Sequence, residues 1–293
     1  MNTTNLHIPS NKVRDIERYF HSELSGLYPE GEIGMFVTML FEAYLGWSRA
    51  QLFLHREETI NQSDLLKFHW AVEDLKRYRP IQHIIGHTDF CGCKIAVSED
   101  VLIPRPETEE ILLSIIVQVP RQARILDLCT GSGCLAIALA KMRPEAQVFA
   151  ADISEKALQL AAKNARENEV AVTFTQCDLL KDEPRLPYPL FDLIISNPPY
   201  VKESERKDME ANVLDYEPEI ALFVPDEDPL RFYRAIAEYA ERHLSENGLL
   251  VLEINESLGK ETTKLLQDAG FNTTLQKDFR DKDRSIIATK TSC

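Results

Sequence analysis

The chain has 293 residues, 44% of them hydrophobic and 27% charged, material for about two globular domains with sizeable cores. Its 33 basic against 47 acidic residues give a formal charge of −14, a poor footprint for a protein whose main partner is a nucleic-acid backbone. Met1–Asn5 lacks the basic and apolar regions of a signal peptide, and no apolar run approaches a membrane span. Six cysteines then read as reduced thiols, so a cytoplasmic protein is expected.

Residues 8 to 80 carry helical periodicity. Ser10 is placed to cap a helix whose apolar positions Val13, Ile16, Phe20 and Leu24 share one face. A second apolar segment, Met35–Tyr44, ends at Gly46. Ser48 and Ser63 stand as caps before Leu52 and before Leu65, Leu66, Trp70 and Leu75, and Pro80 stops the last helix. A small helical bundle over residues 1–82 is expected, with its aromatic rings in the core. From Ile84 to Val97 short extended segments around Gly86 and Gly92 predict a β-hairpin linker, spanning residues 83–104. Cys91-Gly92-Cys93 lacks the second Cys or His cluster that a four-ligand site requires, so Gly92 reads as a turn and no metal is expected.

Two prolines fix the approach Ile103-Pro104-Arg105-Pro106-Glu107-Thr108-Glu109, and Glu107 opens a helix through Leu112 and Ile116. Beyond Arg121, candidate strands Arg124–Cys129, Gln147–Ala151, Val172–Thr175, Phe191–Ser196 and Leu249–Ile254 alternate with helices. The helices are Cys134–Lys141, Glu155–Asn168, Pro229–Leu244 and Leu258–Asp268. Such alternation predicts an α/β, doubly wound, mostly parallel sheet with ligands at the carboxyl ends of its strands. Thr273–Gln276 and Ser285–Thr289 add a C-terminal antiparallel hairpin. This unit is expected over residues 105–293.

Asp127-Leu128-Cys129-Thr130-Gly131-Ser132-Gly133 closes the first strand and opens the first helix. Glycine is scarce, 11 in 293, so two within three positions at such a junction mark a close backbone approach to a ligand. Asp152 ends the second strand, where a carboxylate can bind both hydroxyls of a ribose. With Ala136 the run also fits the dinucleotide pattern, so NAD stays open on these residues alone. Asp127 and Asp178 shift the weight to S-adenosyl-L-methionine. The first can attract the methionine ammonium, and the second can accept from the adenine amino group.

Asn197-Pro198-Pro199-Tyr200 follows the apolar strand Phe191–Ser196. Two prolines cannot extend a sheet, and they hold the residue before them extended. The stiff corner displays two acceptors, the Asn197 side-chain oxygen and the Pro198 carbonyl, beside the Tyr200 ring. That set suits gripping an –NH2 group on a planar substrate. Exocyclic amines of flipped bases, as in N6-adenine methylation, and side-chain amides both qualify; the charge of −14 favours the amide.

With these residues in hand, the chain resembles class I S-adenosylmethionine-dependent methyltransferases of the Asn-Pro-Pro-Tyr kind. More closely, it resembles the peptide chain release factor glutamine N5-methyltransferases. Ile103–Glu109, the preceding Pro80–Gly86 with Phe90, and Asp283-Arg284 carry that closer likeness, which runs from about Leu75 onward. The resemblance implies a Rossmann-like methyltransferase domain behind a helical domain that binds the release factor. It implies a monomer that converts S-adenosyl-L-methionine to S-adenosyl-L-homocysteine. It also implies that Cys129, Thr130, Gly131, Ser132, Gly133, Asp152, Leu179 and Asn197 line the cofactor site, while Asn197, Pro198, Pro199 and Tyr200 hold the glutamine. A ribosomal-protein glutamine is the related alternative. Three departures stand out. Cys129 replaces a frequent glycine, so no positive φ is expected there. Leu179 replaces a frequent aromatic residue, and Val224–Asp228 lacks the usual glycines.

Overall fold

The structure, a computed structural model, describes residues 10–184 and 190–291, so the reading of Met1–Asn5 lies outside the described residues. In chain order these form α1 (Val13–Leu24), α2 (Glu30–Leu45), α3 (Arg49–Leu54), α4 (Gln62–Leu75), α5 (Ile81–Ile85), β1 (His87–Phe90), β2 (Cys93–Ala96) and α6 (Pro106–Ile115). Next come β3 (Arg124–Leu128), α7 (Cys134–Met142), β4 (Gln147–Asp152), α8 (Glu155–Glu167), β5 (Val172–Gln176) and β6 (Phe191–Ser196). Then follow β7 (Val201–Lys202), α9 (Ala211–Leu214), α10 (Glu219–Leu222), β8 (Phe223–Val224), α11 (Arg231–His243), β9 (Leu244–Glu253), α12 (Gly259–Asp268), β10 (Phe271–Lys277) and β11 (Asp283–Lys290). Among the described residues no helix is long and apolar enough to cross a membrane. The chain divides into two compact units. One comprises the residues up to Gly86 together with Ala211–Tyr216, the other His87–Glu210 and everything from Glu217 onward.

In the helical unit Val13, Ile16, Phe20 and Leu24 recur at helical spacing and are buried with Phe36, Leu40, Phe41 and Phe68 of α2 and α4. Gly46 ends α2 at φ +70, a left-handed stop that glycine reaches without a Cβ clash. Ser48 caps α3 through a reciprocal pair with Gln51. Three expected boundaries move. Ser10 accepts the Lys12 N–H and donates to Asp15 instead of capping α1, so that helix starts at Val13. Asn61 rather than Ser63 caps α4, because its Oδ1 accepts the Asp64 N–H at 2.8 Å. Pro80 stands before α5, where a missing N–H costs nothing, and α4 has already ended at Leu75. The Ala211–Tyr216 segment belongs to this unit, and the Tyr216 hydroxyl donates to the Arg77 carbonyl at 2.9 Å.

In the second unit Cys91 and Gly92, both at positive φ, form the two-residue turn of the antiparallel pair β1–β2. The main sheet has the order β10-β11-β9-β6-β3-β4-β5, parallel from β9 to β5 and antiparallel at the β10–β11 hairpin. Alternation along its strands divides the core in two. Ile125, Val148, Leu193, Ile195 and Val251 pack with α6 and α7. Leu126, Phe149, Ile194, Leu250 and Leu252 pack with Tyr233, Ile236 and Ala240 of α11 and Leu266 of α12. Helices on both faces make the sheet doubly wound, as expected.

Candidate active site

Strand register decides which residues meet. Leu128 of β3 lies opposite Ser196 of β6 and Ala151 of β4, and Ser196 lies opposite Leu252 of β9. Cys129, Asp152, Asn197 and Glu253 therefore come to the same carboxyl edge of the sheet. The strand order reverses between β3 and β6, and a cavity of about 480 Å³ opens there, the size of a small-molecule site. Cys129, Thr130, Gly131, Ser132, Asp152, Asp178, Leu179, Asn197 and Pro199 are on its wall. Arg105 and Thr108, Ile220 and Phe223, and Arg231 and Phe232 complete much of the rest.

The loop after β3 is shaped by its backbone. Gly131 has φ +54 and open space where a Cβ would project. Gly133 has φ +81, and a Cβ there would come within 2.9 Å of the Ala161 Cβ on α8. The expectation for Cys129 is overturned: its φ is +59. The chain must turn left-handed at once, so that the next N–H, from Thr130, can donate to the Ala151 carbonyl at 3.1 Å. A side chain in that region costs about 1–2 kcal/mol that a glycine would not.

Asp127 is fully buried and lies off the cavity wall, beneath this loop. Its Oδ2 accepts the Thr130 hydroxyl at 2.5 Å and the Ala136 N–H at 3.3 Å. Its Oδ1 has no hydrogen-bond partner among the described residues. Burial outweighs both hydrogen bonds and pushes the carboxyl up to about 7. Asp152 is on the wall; its Oδ2 accepts the Gly131 N–H at 2.8 Å and its Oδ1 the Ser154 N–H at 2.9 Å. Burial raises this carboxyl too. The two Asp152 oxygens, with about four lone-pair sites between them, keep acceptor capacity beyond these backbone donors. Asp178 pairs with Lys181 at 2.7 Å and accepts the Leu180 N–H at 3.2 Å; the Lys181 hydrogen bond holds its carboxyl below the usual range.

The corner after β6 is held by side chains. The Asn197 Nδ2 donates to the Thr108 hydroxyl at 3.3 Å, and that hydroxyl donates to Glu253 Oε2 at 2.6 Å. The Tyr200 hydroxyl donates to Glu253 Oε1 at 3.0 Å, and Asn255 donates to the Tyr200 carbonyl at 3.1 Å. Pro198 and Tyr200 are not among the residues on the cavity wall, whereas Asn197 and Pro199 on either side of Pro198 are. Burial carries the Tyr200 phenol well above its ordinary range, so it stays a proton donor. Across the cavity, buried Glu217 accepts the Ile103 N–H at 3.0 Å and the Arg105 guanidinium at 2.5 Å, holding the two-proline approach. β7 pairs in parallel with β8, and the Arg206 guanidinium lies 4.1 Å from the Phe223 ring centre.

No role at the site was assigned from the sequence to Thr108, Glu217, Glu253 or Phe232, although Thr108 lies inside the Ile103–Glu109 signature. Glu253 did carry a signal, a charge in the otherwise apolar run Leu249–Ile254. Phe232 carried none, since an aromatic ring on an amphipathic helix reads as core.

Two family models match the chain: the methyltransferase small domain over residues 107–215 and the PrmC N-terminal domain over residues 35–86. The release factor glutamine methyltransferase of Flavobacterium psychrophilum is 45% identical over 280 residues, covering 94% of this chain and 98% of that protein. The protein of the same name from Bacteroides thetaiotaomicron is 40% identical over 276 residues, covering 94% and 99%. Among solved structures, a methyltransferase from Pyrococcus furiosus superposes with a TM-score of 0.52 at 19% identity, covering 69% of this chain and 90% of that one. At that identity it bears on the fold alone.

Proposed function

The chain belongs to the release factor glutamine methyltransferase family, and from that premise we propose that it methylates the side-chain amide nitrogen (N5) of a glutamine in peptide chain release factors, modulating translation termination. The methyl donor in this reading is S-adenosyl-L-methionine, which leaves as S-adenosyl-L-homocysteine. The observation that carries the reading is the Asn197 corner on the wall of the cavity that the glycine loop also lines.

The residues present fit the donor. The open face of Gly131 admits its backbone-proximal part, and the spare acceptors of Asp152 suit two ribose hydroxyls. The unpartnered Asp127 oxygen supplies negative charge beneath the loop for a cationic tail. Cys129, Thr130, Ser132 and Gly133 shape that loop, and Asp178 and Leu179 flank the adenine end. Phe232 offers the aromatic surface that Leu179 lacks. Bound there, the donor supplies an electrophilic methyl on a sulfonium.

The chain's own task is to make an amide nitrogen a competent nucleophile. Its lone pair is delocalised into the carbonyl, so it must be oriented and its N–H bonds polarised. The Asn197 oxygen and the Pro198 carbonyl accept those two N–H groups and favour the positive charge that grows on nitrogen, each contributing about 1–3 kcal/mol. Pro199 and Tyr200 keep the corner stiff, and positioning for in-line attack adds up to roughly 7–11 kcal/mol. No strong base is needed, because the nitrogen sheds its proton once alkylated.

The helical unit would bind the release factor. Phe53 and Met35, exposed by 72% and 52%, line one groove with Arg18 and Arg49, a surface that suits a protein partner. The reading carries with it a cytoplasmic enzyme acting as a monomer. The test is transfer from labelled S-adenosyl-L-methionine to recombinant release factor, with ribosomal protein and DNA as parallel acceptors. Label on one release-factor glutamine is expected; label on DNA alone, or on ribosomal protein alone, overturns the proposal.

A further inference from the structure

Glu253 ends β9 with 3% of its surface exposed, and Thr108, in the first turn of α6, is 2% exposed. A carboxylate at the end of a core strand is costly to desolvate unless its oxygens are satisfied. Here each oxygen takes one hydroxyl, Thr108 on Oε2 at 2.6 Å and Tyr200 on Oε1 at 3.0 Å. Burial pushes the Glu253 carboxyl upward, and the two hydroxyls and the Arg284 charge act against that push.

A hydroxyl has one proton. With that proton committed to Glu253, Thr108 has only lone pairs left for Asn197. It can accept from the amide nitrogen at 3.3 Å, but it cannot donate to the amide oxygen. An Asn side chain is nearly symmetric in shape, so packing alone does not choose between its two orientations. The hydrogen-bond polarity does choose. The tyrosine of the same motif stands on the other oxygen of the same carboxylate, so Asn197 and Tyr200 share one anchor.

Resting on the reading of Asn197 as the amide acceptor, we infer that Glu253 and Thr108 are positioning residues: they lock the Asn197 amide with its nitrogen inward and its oxygen toward the substrate. An inverted amide would present two N–H donors to a substrate –NH2, and the grip would fail. The Asn-Pro-Pro-Tyr motif is then incomplete without a threonine 89 residues upstream and a glutamate 53 residues beyond its tyrosine.

The full chain with Thr108→Val, Thr108→Ser and Glu253→Gln tests this. Valine keeps the shape of threonine and removes the hydroxyl; serine keeps the hydroxyl. Thr108→Val should lower kcat on release factor by roughly tenfold or more, the scale of one directed hydrogen bond to a reacting group. Its cofactor Kd should stay within about twofold, and its KM should change less than its kcat, because the oriented bond strengthens as positive charge grows on the nitrogen in the transition state. Thr108→Ser should keep at least about half of wild-type turnover, because it keeps that bond. Glu253→Gln, which can donate toward Thr108 and free its proton, should also fall in kcat rather than in KM. As a readout independent of substrate, the Asn197 side-chain –NH2 protons should exchange slowly with solvent in the wild type and in Thr108→Ser, and rapidly in Thr108→Val. Equal losses in the valine and serine variants, or unchanged exchange in Thr108→Val, overturns the inference. A wild-type enzyme that leaves release factor unmethylated would instead sink the functional reading, and the exchange contrast would still judge the lock.

Discussion

The glycine loop after β3 and the Asn197 corner after β6 leave adjacent parallel strands, yet they are held by different means. The loop is fixed by backbone conformation and by neighbours close at hand: φ values of +59, +54 and +81 at Cys129, Gly131 and Gly133, and the Thr130 hydroxyl on Asp127 three residues away. The corner is fixed by side chains from distant parts of the chain, Thr108 and Glu253, separated from each other by 145 residues. A site built locally should fail by misfolding or by losing its ligand. A site built from afar should fail by losing turnover while everything else survives.

The largest expected effect tests the corner. Asn197→Ala should reduce methyl transfer by about a hundredfold or more, the scale of removing a directed group from a reacting centre, while cofactor affinity changes only a few-fold. Equal losses of both, measured by single-turnover assay and calorimetry, would erase the distinction between the two regions. Gly133→Ala probes the loop. Left-handed strain and the 2.9 Å approach to Ala161 should together cost about 2–4 kcal/mol, seen as a lowered denaturation midpoint. A variant that unfolds like the wild type but turns over slowly would place the loop with the corner.

A smaller effect separates charge from shape. Asp127 sits near 7 in the folded protein, above its unfolded value of 3.8. Its contribution to the stability of the ligand-free protein is therefore full below about pH 4 and lost as pH rises through 7. Cofactor binding works in the opposite sense, since a cationic tail favours the ionised carboxyl. Affinity should weaken by up to about tenfold per pH unit below 7, and Asp127→Asn should be weaker and flat. A wild-type profile as flat as the variant's would leave Asp127 a purely structural residue. The smallest effect is Cys129→Gly. Relief of left-handed strain and the added freedom of the unfolded chain nearly cancel, so stability should change by less than about 1 kcal/mol, with cofactor affinity intact.

The same contrast explains what could be read from the chain. The doubly wound sheet was legible because apolar strands alternate with amphipathic helices, and the loop because glycine is otherwise scarce. The Asn-Pro-Pro-Tyr corner was visible from its prolines. What supports it was not, since the pairing of Thr108 with Glu253 depends on the register of β9 against β6 and on where α6 docks. The Cys129 error has a local cause: a frequent glycine was replaced, yet the turn that glycine served remained. Ser10 failed as a cap because α1 starts at Val13, with Lys12 at the cap position and no side-chain cap. Ser63 failed because it already lies inside the first turn that Asn61 caps; side-chain type alone does not make a choice of a residue or two.

The helical unit is not one stretch of chain. Ala211–Tyr216 returns to it from the middle of the methyltransferase sequence, and Tyr216 bonds to Arg77. For recombination between relatives this has a definite consequence. A single crossover near Gly86 would transplant most of the unit but leave its last strip of residues native to the other parent. Inheriting a new helical unit whole takes two exchanges, or one exchange followed by adaptation at Tyr216, whose hydroxyl meets the backbone carbonyl of Arg77.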